Sequence, residues 1–213
     1  MDSSLLDIGM SSYGWATTVS ETGQTMPTLS FPTTLGDCRV TWNDAGLTGF
    51  SLPTDVASDA PTRPPRPRTA QRLVAPAERP AAKAAAEPTS APNWVRELVA
   101  KAQAHLAGQP QHFDDVPLDW SRVSAFQRGV YEQTQAIKPG TTASYGDIAR
   151  ALQSGPEGAR AVGVALGSNP WPLIVPCHRV VAANGRMTGF SAPGGVRTKT
   201  RLLALEGAEL PLG

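Results

Sequence analysis

This chain of 213 residues has only two cysteines, no long apolar run and no dominant charge sign. Its two cysteines, Cys38 and Cys177, cannot form a disulfide framework, so we expect reduced thiols and a cytoplasmic setting. The first residues lack a basic segment followed by an apolar one, which argues against secretion. No stretch approaches about 18 consecutive apolar residues, so we expect no membrane span and no membrane partner.

The net charge of +1 does not by itself indicate a nucleic-acid partner. The charge is unevenly distributed, however. Residues 121–213 contain ten Lys/Arg and five Asp/Glu, a net of +5, so this part of the chain could face phosphate.

The composition suggests four segments. Residues 1–52 are weakly patterned, but "CRVTW", "NDAG" and "LTGFSL" predict a β-hairpin, and the first thirty residues are expected to be partly disordered. Residues 53–92 contain nine prolines among forty residues, which predicts a linker or insertion, with a non-specific DNA-binding arm as the alternative. Residues 93–120 begin with a helix that we expect Asn93 to cap and Gly108 to end.

Residues 121–213 predict several further helices. One begins at Ser124 and stops at Lys138–Gly140. Ser144 and Asp147 form a capping-box start for a short helix. A second short helix is expected to follow, with Pro156 in a first-turn position. The pair suggests a helix-turn-helix, although helical hairpins are common and this signal alone is weak. A last helix is expected from about Val196 to Glu206.

The sequence "PCHRV" places Cys177 and His178 side by side. A thiolate is a good nucleophile, and a histidine can take the thiol proton if a third group orients its ring, for which Glu206 is a candidate. Adjacent side chains on an extended chain point to opposite faces, so a bend or a bridging water would have to couple the two. The dipeptide alone also fits a buried structural cysteine. The scattered Cys and His residues lack paired ligand spacing, so we predict no metal site.

Several distant blocks, in order, carry a family resemblance: "FQRGVYEQTQAIKPGTTASYGDIA", "ARAVGVALGSNPWPLIVPCHRVV", "GFSAPGG" and "KTRLLALEG". From Phe126 to Gly207 the chain closely resembles the methylated-DNA–protein-cysteine methyltransferases, or O6-alkylguanine-DNA alkyltransferases. The resemblance implies an α+β fold with a small ribonuclease-H-like N-terminal domain and a mainly helical C-terminal domain with a winged-helix-like helix-turn-helix. In this scheme residues 121–213 form the DNA-binding and catalytic domain, and residues 93–120 lead into it.

The function that the resemblance implies is direct reversal of DNA damage. An alkyl group moves irreversibly from O6-alkylguanine in double-stranded DNA to Cys177, with O4-alkylthymine as an open second substrate. The protein is then a suicide transferase that works once, without a cofactor, as a monomer, and with tolerance of the surrounding sequence.

The resemblance also implies roles for individual residues. Cys177 attacks, His178 acts as a base through water, and Glu206 orients His178. Tyr145 donates a proton to the base and contacts the DNA, Asn169 is a hinge residue, and Arg160 replaces the flipped base. Two further residues contact the DNA, Ala161 and Ser144. The substrate pocket is formed by Pro172, Val180, Phe190 and Ser191.

Two departures from the family pattern stand out. Ala192-Pro193 intervenes in the loop after the aromatic-Ser pair, which bears on pocket width, and Gly167 stands where many relatives carry a basic residue. The alternatives that we keep are a non-catalytic lesion-recognition protein, an alkylation-responsive regulator and a cysteine hydrolase. The presence of Cys177 argues against the first, and the lack of a cysteine-rich N-terminus argues against the second.

Overall fold

The protein is described by a computed structural model that covers residues 14–19, 25–53, 91–187 and 189–208. The expectation of a linker or DNA-binding arm concerns residues 53–92, of which 54–90 lie outside the described residues. Much of the expected disorder in the first thirty residues also falls outside this range, although residues 25–30 belong to a strand. Among the described residues, no helix combines the length and apolar character needed to cross a membrane.

Four strands form an antiparallel sheet in sequence order. They are β1 (Gly14–Val19), β2 (Thr25–Thr33), β3 (Gly36–Asn43) and β4 (Gly46–Ser51). The hairpin predicted from "CRVTW" and "LTGFSL" is confirmed, because β3 and β4 pair antiparallel. Alternate side chains of β3 are buried, as the two-residue period of a strand requires: Cys38, Val40 and Trp42.

Helix α1 (Asn93–Leu106) packs against β2 and the last helix of the chain. Its buried face consists of Val95, Leu98, Val99, Ala102, His105 and Leu106. The predicted cap at Asn93 is wrong, because Pro92 occupies the N-cap position and Asn93 already lies in the first turn, where its Oδ1 accepts from the Arg96 side chain. The predicted end near Gly108 is confirmed, since this glycine adopts φ +87° just beyond the helix.

Three helices follow in the next part of the chain: α2 (Ala125–Gln135), α3 (Tyr145–Ala151) and α4 (Gly158–Gly167). Ser124 starts α2 with a complete capping box, and the predicted Ser144–Asp147 capping box starts α3. The predicted place of Pro156 in the first turn is wrong, because Glu157 is the N-cap. Gly158 meets α3 closely there, where an added Cβ would lie 2.9 Å from the Cβ of Ala149.

The remaining elements are two short strands, one helix and two 3-10 turns. The short strands β5 (Ala143–Ser144) and β6 (Val180–Val181) pair in parallel, and α5 runs over Val196–Leu205. Two short 3-10 turns, Trp120–Arg122 and Cys177–Arg179, complete the described structure. The result is an α+β fold with one small antiparallel sheet and several helices.

The sheet is attached to the helices through Leu47 on β4. Its N–H donates to the Pro117 carbonyl (2.8 Å), and its own carbonyl accepts from the Asp119 N–H (3.0 Å) and the Trp171 indole (2.8 Å). Trp171 is 1% exposed and belongs to the same hydrophobic core as the sheet residues. The segment that leads to Cys177 is thereby fixed to the sheet.

Candidate active site

Cys177 lies at the end of a buried apolar segment. The preceding residues Leu173, Ile174 and Val175 are each no more than 2% exposed, and Cys177 itself is 6% exposed. The Cys177 N–H donates to the Val175 carbonyl at 2.8 Å, which turns the chain into the Cys177–Arg179 3-10 turn. The thiol is therefore held on rigid, tightly packed backbone.

Asn169 ties this segment to the end of α4. Its Nδ2 donates to the Val175 carbonyl (2.9 Å) and lies 3.4 Å from Cys177 Sγ, and its Oδ1 accepts from the Trp171 N–H (2.9 Å). One amide side chain thus fixes the backbone on both sides of the bend and points a donor at the sulfur. Asn169 thus lies between α4 and the active-site segment, and its role as a hinge stays a prediction.

Opposing effects act on the thiol. Burial raises the pKa of Cys177, while the Asn169 donor and the positive charge of Lys199 favour the thiolate and act against that rise. Lys199 on α5 is fully buried, and its Nζ donates to the Val180 carbonyl at 2.5 Å and lies 5.9 Å from the Tyr145 ring centroid. Burial also lowers the pKa of Lys199, which the thiolate charge counteracts.

The side chain of His178 contacts Glu206, which directly follows α5. Its Nε2 lies 2.8 Å from Oε1 of Glu206, and both side chains are shielded from solvent. Its Nδ1 is buried and has no hydrogen-bond partner in the structure. Burial lowers the pKa of His178 despite the opposing effect of Glu206, so the ring is neutral at neutral pH and can accept a proton.

Arg179 also hydrogen-bonds to the carboxylate of Glu206. Its Nε lies 3.0 Å from Oε2 of Glu206, its Nη2 lies 2.9 Å from Oε1, and its Nη1 donates to the Ile137 carbonyl at 2.5 Å. Burial alone would raise the pKa of Glu206, but the close contact with His105 and the hydrogen bonds with His178 and Arg179 outweigh it and lower the pKa well below its ordinary value. Glu206 is therefore an ionised carboxylate in the interior.

Three of these groups have metal-ligand chemistry. One ligand atom each from His105, His178 and Glu206 lies within 4.8 Å of the others. The guanidinium of Arg179, however, hydrogen-bonds to both oxygens of the carboxylate. A second cation at this carboxylate would meet that positive charge, so the arrangement is better described as a buried ion-pair cluster than as a metal site.

A small cavity of about 140 Å³ opens beside the thiol. Three of the residues predicted to contact DNA or substrate, Tyr145, Phe190 and Ser191, line it together with Cys177, Gly163 and Gly189. Tyr145 is the first residue of α3, so the Ser144 capping box fixes its position. The size of the cavity suits a small group close to Sγ.

Two predicted pocket residues are placed differently. Pro172 lines a neighbouring cavity of about 500 Å³ between the sheet and the Ala192-Pro193 loop, and Ser191 contributes to both cavities. Val180 is fully buried, and its carbonyl, which we expected to accept from a substrate amine, already accepts from Lys199. One lone pair of that oxygen remains for another donor.

The exposed side of α4 carries the predicted DNA contacts. Arg160 and Ala161 are exposed, and Ser144 is half-buried at the start of α3. Phe126 and Val164, 39% and 71% exposed, lie with Arg160 along a shallow groove of about 520 Å³.

The sequence of this chain is similar to those of known proteins. The methylated-DNA–protein-cysteine methyltransferase of Mycolicibacterium paratuberculosis is 44% identical over 123 residues, which are 58% of this chain and 72% of that protein. This chain belongs to the methylated-DNA–protein-cysteine methyltransferase family. Residues 125–208 also match the family model described as 6-O-methylguanine DNA methyltransferase, DNA binding domain.

Solved structures agree with the assignment to the methyltransferase family. The structure described as Mycobacterium tuberculosis OGT in complex with DNA is 29% identical with a TM-score of 0.60, over 84% of this chain and 91% of that chain. One similar protein has a different name: the DNA base-flipping protein of Thermus thermophilus is 43% identical over 114 residues, which are 54% of this chain and 72% of that protein.

Three residues of this methyltransferase site were missed by sequence reasoning. Arg179 directly follows the Cys-His pair in "PCHRV", so its position was the available signal. Lys199 lies three and four residues before Leu202 and Leu203, which places it on the buried face of α5. His105 gave no signal beyond its place on the apolar side of α1, because its partner Glu206 lies about a hundred residues away in the chain.

Proposed function

We propose that this protein repairs alkylated DNA by moving an alkyl group irreversibly from O6-alkylguanine to Cys177, once per molecule. The observation that carries the proposal is a thiol within 3.4 Å of the Asn169 amide at the wall of a small cavity that Tyr145 also lines, with the neighbouring His178 paired to Glu206 at 2.8 Å. This arrangement provides a nucleophile, a base with an orienting carboxylate, and a donor near the leaving group.

The reaction is a displacement at the alkyl carbon. The thiol proton passes through a water molecule to the neutral Nδ1 of His178, the sulfur–carbon bond forms, and the carbon–oxygen bond to guanine breaks. Negative charge then develops on the leaving base, and the Tyr145 hydroxyl supplies a proton there. The product is a thioether at Cys177, and this chain has no proposed group to remove it. No cofactor enters the scheme, because the damaged DNA is the alkyl donor.

The base reaches a buried thiol only after it leaves the helix stack. Arg160 on α4 is proposed to take its place, with Ala161 and Ser144 close to the backbone and Tyr145 at the entry to the cavity. Pro172, Val180, Phe190 and Ser191 complete the proposed pocket. Binding through phosphates and shape gives tolerance of the surrounding sequence, and we propose a cytoplasmic monomer that acts on double-stranded DNA.

We assign the finer architecture on the same basis. The sheet in residues 1–52 is proposed to be the remnant of a ribonuclease-H-like domain, residues 53–92 a linker, and residues 93–120 the connection. Residues 121–213 are the proposed catalytic domain, in which α3 and α4 form a winged-helix-like helix-turn-helix. The likeness of α3 and α4 to such a motif is supported by their lengths and by the short turn between them.

A second candidate function is lesion recognition without chemistry. The observation that favours it is the similarity to a relative named DNA base-flipping protein. The buried, hydrogen-bonded Cys177 argues for the transferase, because recognition alone needs no nucleophile at the wall of the cavity.

Intact-protein mass spectrometry tests the transferase directly. After the full chain is mixed with duplex DNA that contains O6-methylguanine, we expect a gain of one methyl mass per molecule, located on the peptide with Cys177. The C177S variant should bind the lesion but gain no mass. The matched variant C38S should react normally, because burial raises the pKa of Cys38 to about 12 and keeps it a neutral thiol. Binding of the lesion by the native chain with no mass gain would instead support the recognition function.

A further inference from the structure

His105 lies at the same carboxylate as the proposed catalytic pair although it belongs to α1. It is 1% exposed, and its Nε2 is 3.0 Å from Oε1 of Glu206, the oxygen that also meets Nε2 of His178. This contact does not meet the geometry of a hydrogen bond, and Nε2 has no hydrogen-bond partner among the residues that the structure describes. His105 also lies outside residues 125–208, which match the family's DNA-binding model.

The hydrogen bonding of His105 determines which nitrogen carries its proton. The backbone N–H of Gln111 donates to Nδ1 at 3.0 Å, so Nδ1 is an acceptor and the proton of the neutral ring is on Nε2. The ring also packs on Phe113, with centroids 5.5 Å apart. The loop after α1 therefore holds the imidazole with its remaining N–H directed towards the Glu206 side.

We propose that His105 is a positioning residue for alkyl transfer, which acts through the close polar contact of its Nε2 with Glu206 and so sets how strongly that carboxylate attracts the proton on His178. The inference depends on the proposed function, because it assigns His178 as the base. The charged and titratable groups around the carboxylate are His105 from α1 and His178 and Arg179 from the 3-10 turn, with the Gly140 N–H at 3.4 Å as a weaker donor.

The sign of the effect follows from these contacts. Each donor that Glu206 accepts spreads its negative charge, which reduces the attraction for a protonated His178. Loss of the His105 donor leaves more charge for His178 and raises its pKa. The neutral, proton-accepting form of His178 then requires a higher pH. A purely structural role for His105 would weaken folding without moving this pH.

The experiment compares variants that differ in the donor alone. H105F and H105M remove both ring nitrogens, while H105Q keeps an amide N–H at a similar distance from Cα. The rate of transfer from free O6-benzylguanine is measured for the full chain from about pH 5.5 to 9, which spans the ordinary range of histidine titration. Thermal midpoints and binding of lesion-containing DNA are measured alongside, to confirm that each variant is folded.

We expect H105F and H105M to react about tenfold more slowly at pH values below the native midpoint, which corresponds to a shift of about one pH unit. The pH of half-maximal rate should shift upward for these two and stay near the native value for H105Q. Unshifted pH profiles in folded H105F or H105M would overturn the inference, as would an equal shift in H105Q. A native chain that does not transfer at all would refute the proposed function instead.

Discussion

At the residue scale, Glu206 illustrates how a buried charge is tolerated. The carboxylate follows directly on α5 and accepts from Arg179, meets His178 at 2.8 Å and lies 3.0 Å from His105. An ionised group inside a protein is costly unless it is paired and hydrogen-bonded. The pairing with Arg179 meets that condition.

We predict that E206Q lowers the free energy of unfolding by about 3 kcal/mol at pH 7, because it leaves the buried guanidinium of Arg179 without a counter-charge. Urea denaturation measures this. The matched control is E132Q, since Glu132 is about half exposed and pairs with Arg128 on the surface of α2. E132Q should change stability by no more than about 0.5 kcal/mol. Similar effects of the two substitutions would contradict the description of Glu206 as a buried counter-ion.

The stability difference between the native chain and E206Q should also depend on pH. The folded-state pKa of Glu206 is depressed, so its stabilising effect is complete above the ordinary value of 4.5 and is lost as pH falls below it. The stability difference between the native chain and E206Q should therefore be constant near neutral pH and shrink below about pH 4.5. A difference that grows in acid would show that the carboxylate is protonated in the native state.

At the scale of elements, helices α3 and α4 each carry a different part of the proposed chemistry. The capping box at Ser144 fixes the first turn of α3 and hence Tyr145, while α4 displays Arg160 to solvent. The exposed Phe126 and Val164 line the same groove as Arg160 and Glu157, so this face combines an oppositely charged pair of residues with apolar surface. Such a face suits contact with the sugars and the minor groove of DNA.

We predict that R160A slows repair of O6-methylguanine in duplex DNA much more than reaction with free O6-benzylguanine, because only the duplex requires a side chain to replace the flipped base. Single-turnover rates with both substrates give the ratio. R96A is the matched control, because Arg96 is an exposed arginine on α1, outside the α3–α4 pair. Equal loss on both substrates for R160A would argue against its place in the base stack.

At the scale of the whole molecule, the sheet and the helices share one hydrophobic core. The junction at Leu47 leaves little room, as Gly46 shows. Its φ is +139°, and an added Cβ would lie 2.5 Å from the Pro117 carbonyl oxygen. Only glycine combines this backbone conformation with such a close approach. The β3–β4 turn is thus fitted to the connection that leads into the catalytic helices.

We predict that G46A destabilises the protein by about 3 kcal/mol, because backbone strain and a clash with another backbone act together. G155A is the control, since Gly155 also has positive φ (+71°) but has no atom within 4 Å of an added Cβ. Its cost should be about 1 kcal/mol, the strain alone. Urea unfolding followed by far-UV circular dichroism and tryptophan fluorescence measures both, and the two signals should coincide if the core is one cooperative unit.

Several features were predictable because short segments encode them. The β3–β4 hairpin follows from alternating side chains around a turn, and the capping boxes at Ser124 and Ser144 depend on residues three positions apart. Two local predictions were wrong at helix starts. The first residue of each of these helices depends on how the helix packs against its neighbour, as the close contact of Gly158 with Ala149 shows.

The sequence by itself determined the family, through blocks from Phe126 to Gly207, and with it the prediction that Cys177, beside His178, is the nucleophile. Only the tertiary structure decided what surrounds them. Local sequence patterns determine backbone dihedral angles and which face of a helix or strand is apolar. The partners of a buried charge are instead determined by which elements pack around it. For that reason Arg179 and His105 were assigned to Glu206 by the fold alone, since α1, the 3-10 turn and α5 meet only when the core forms.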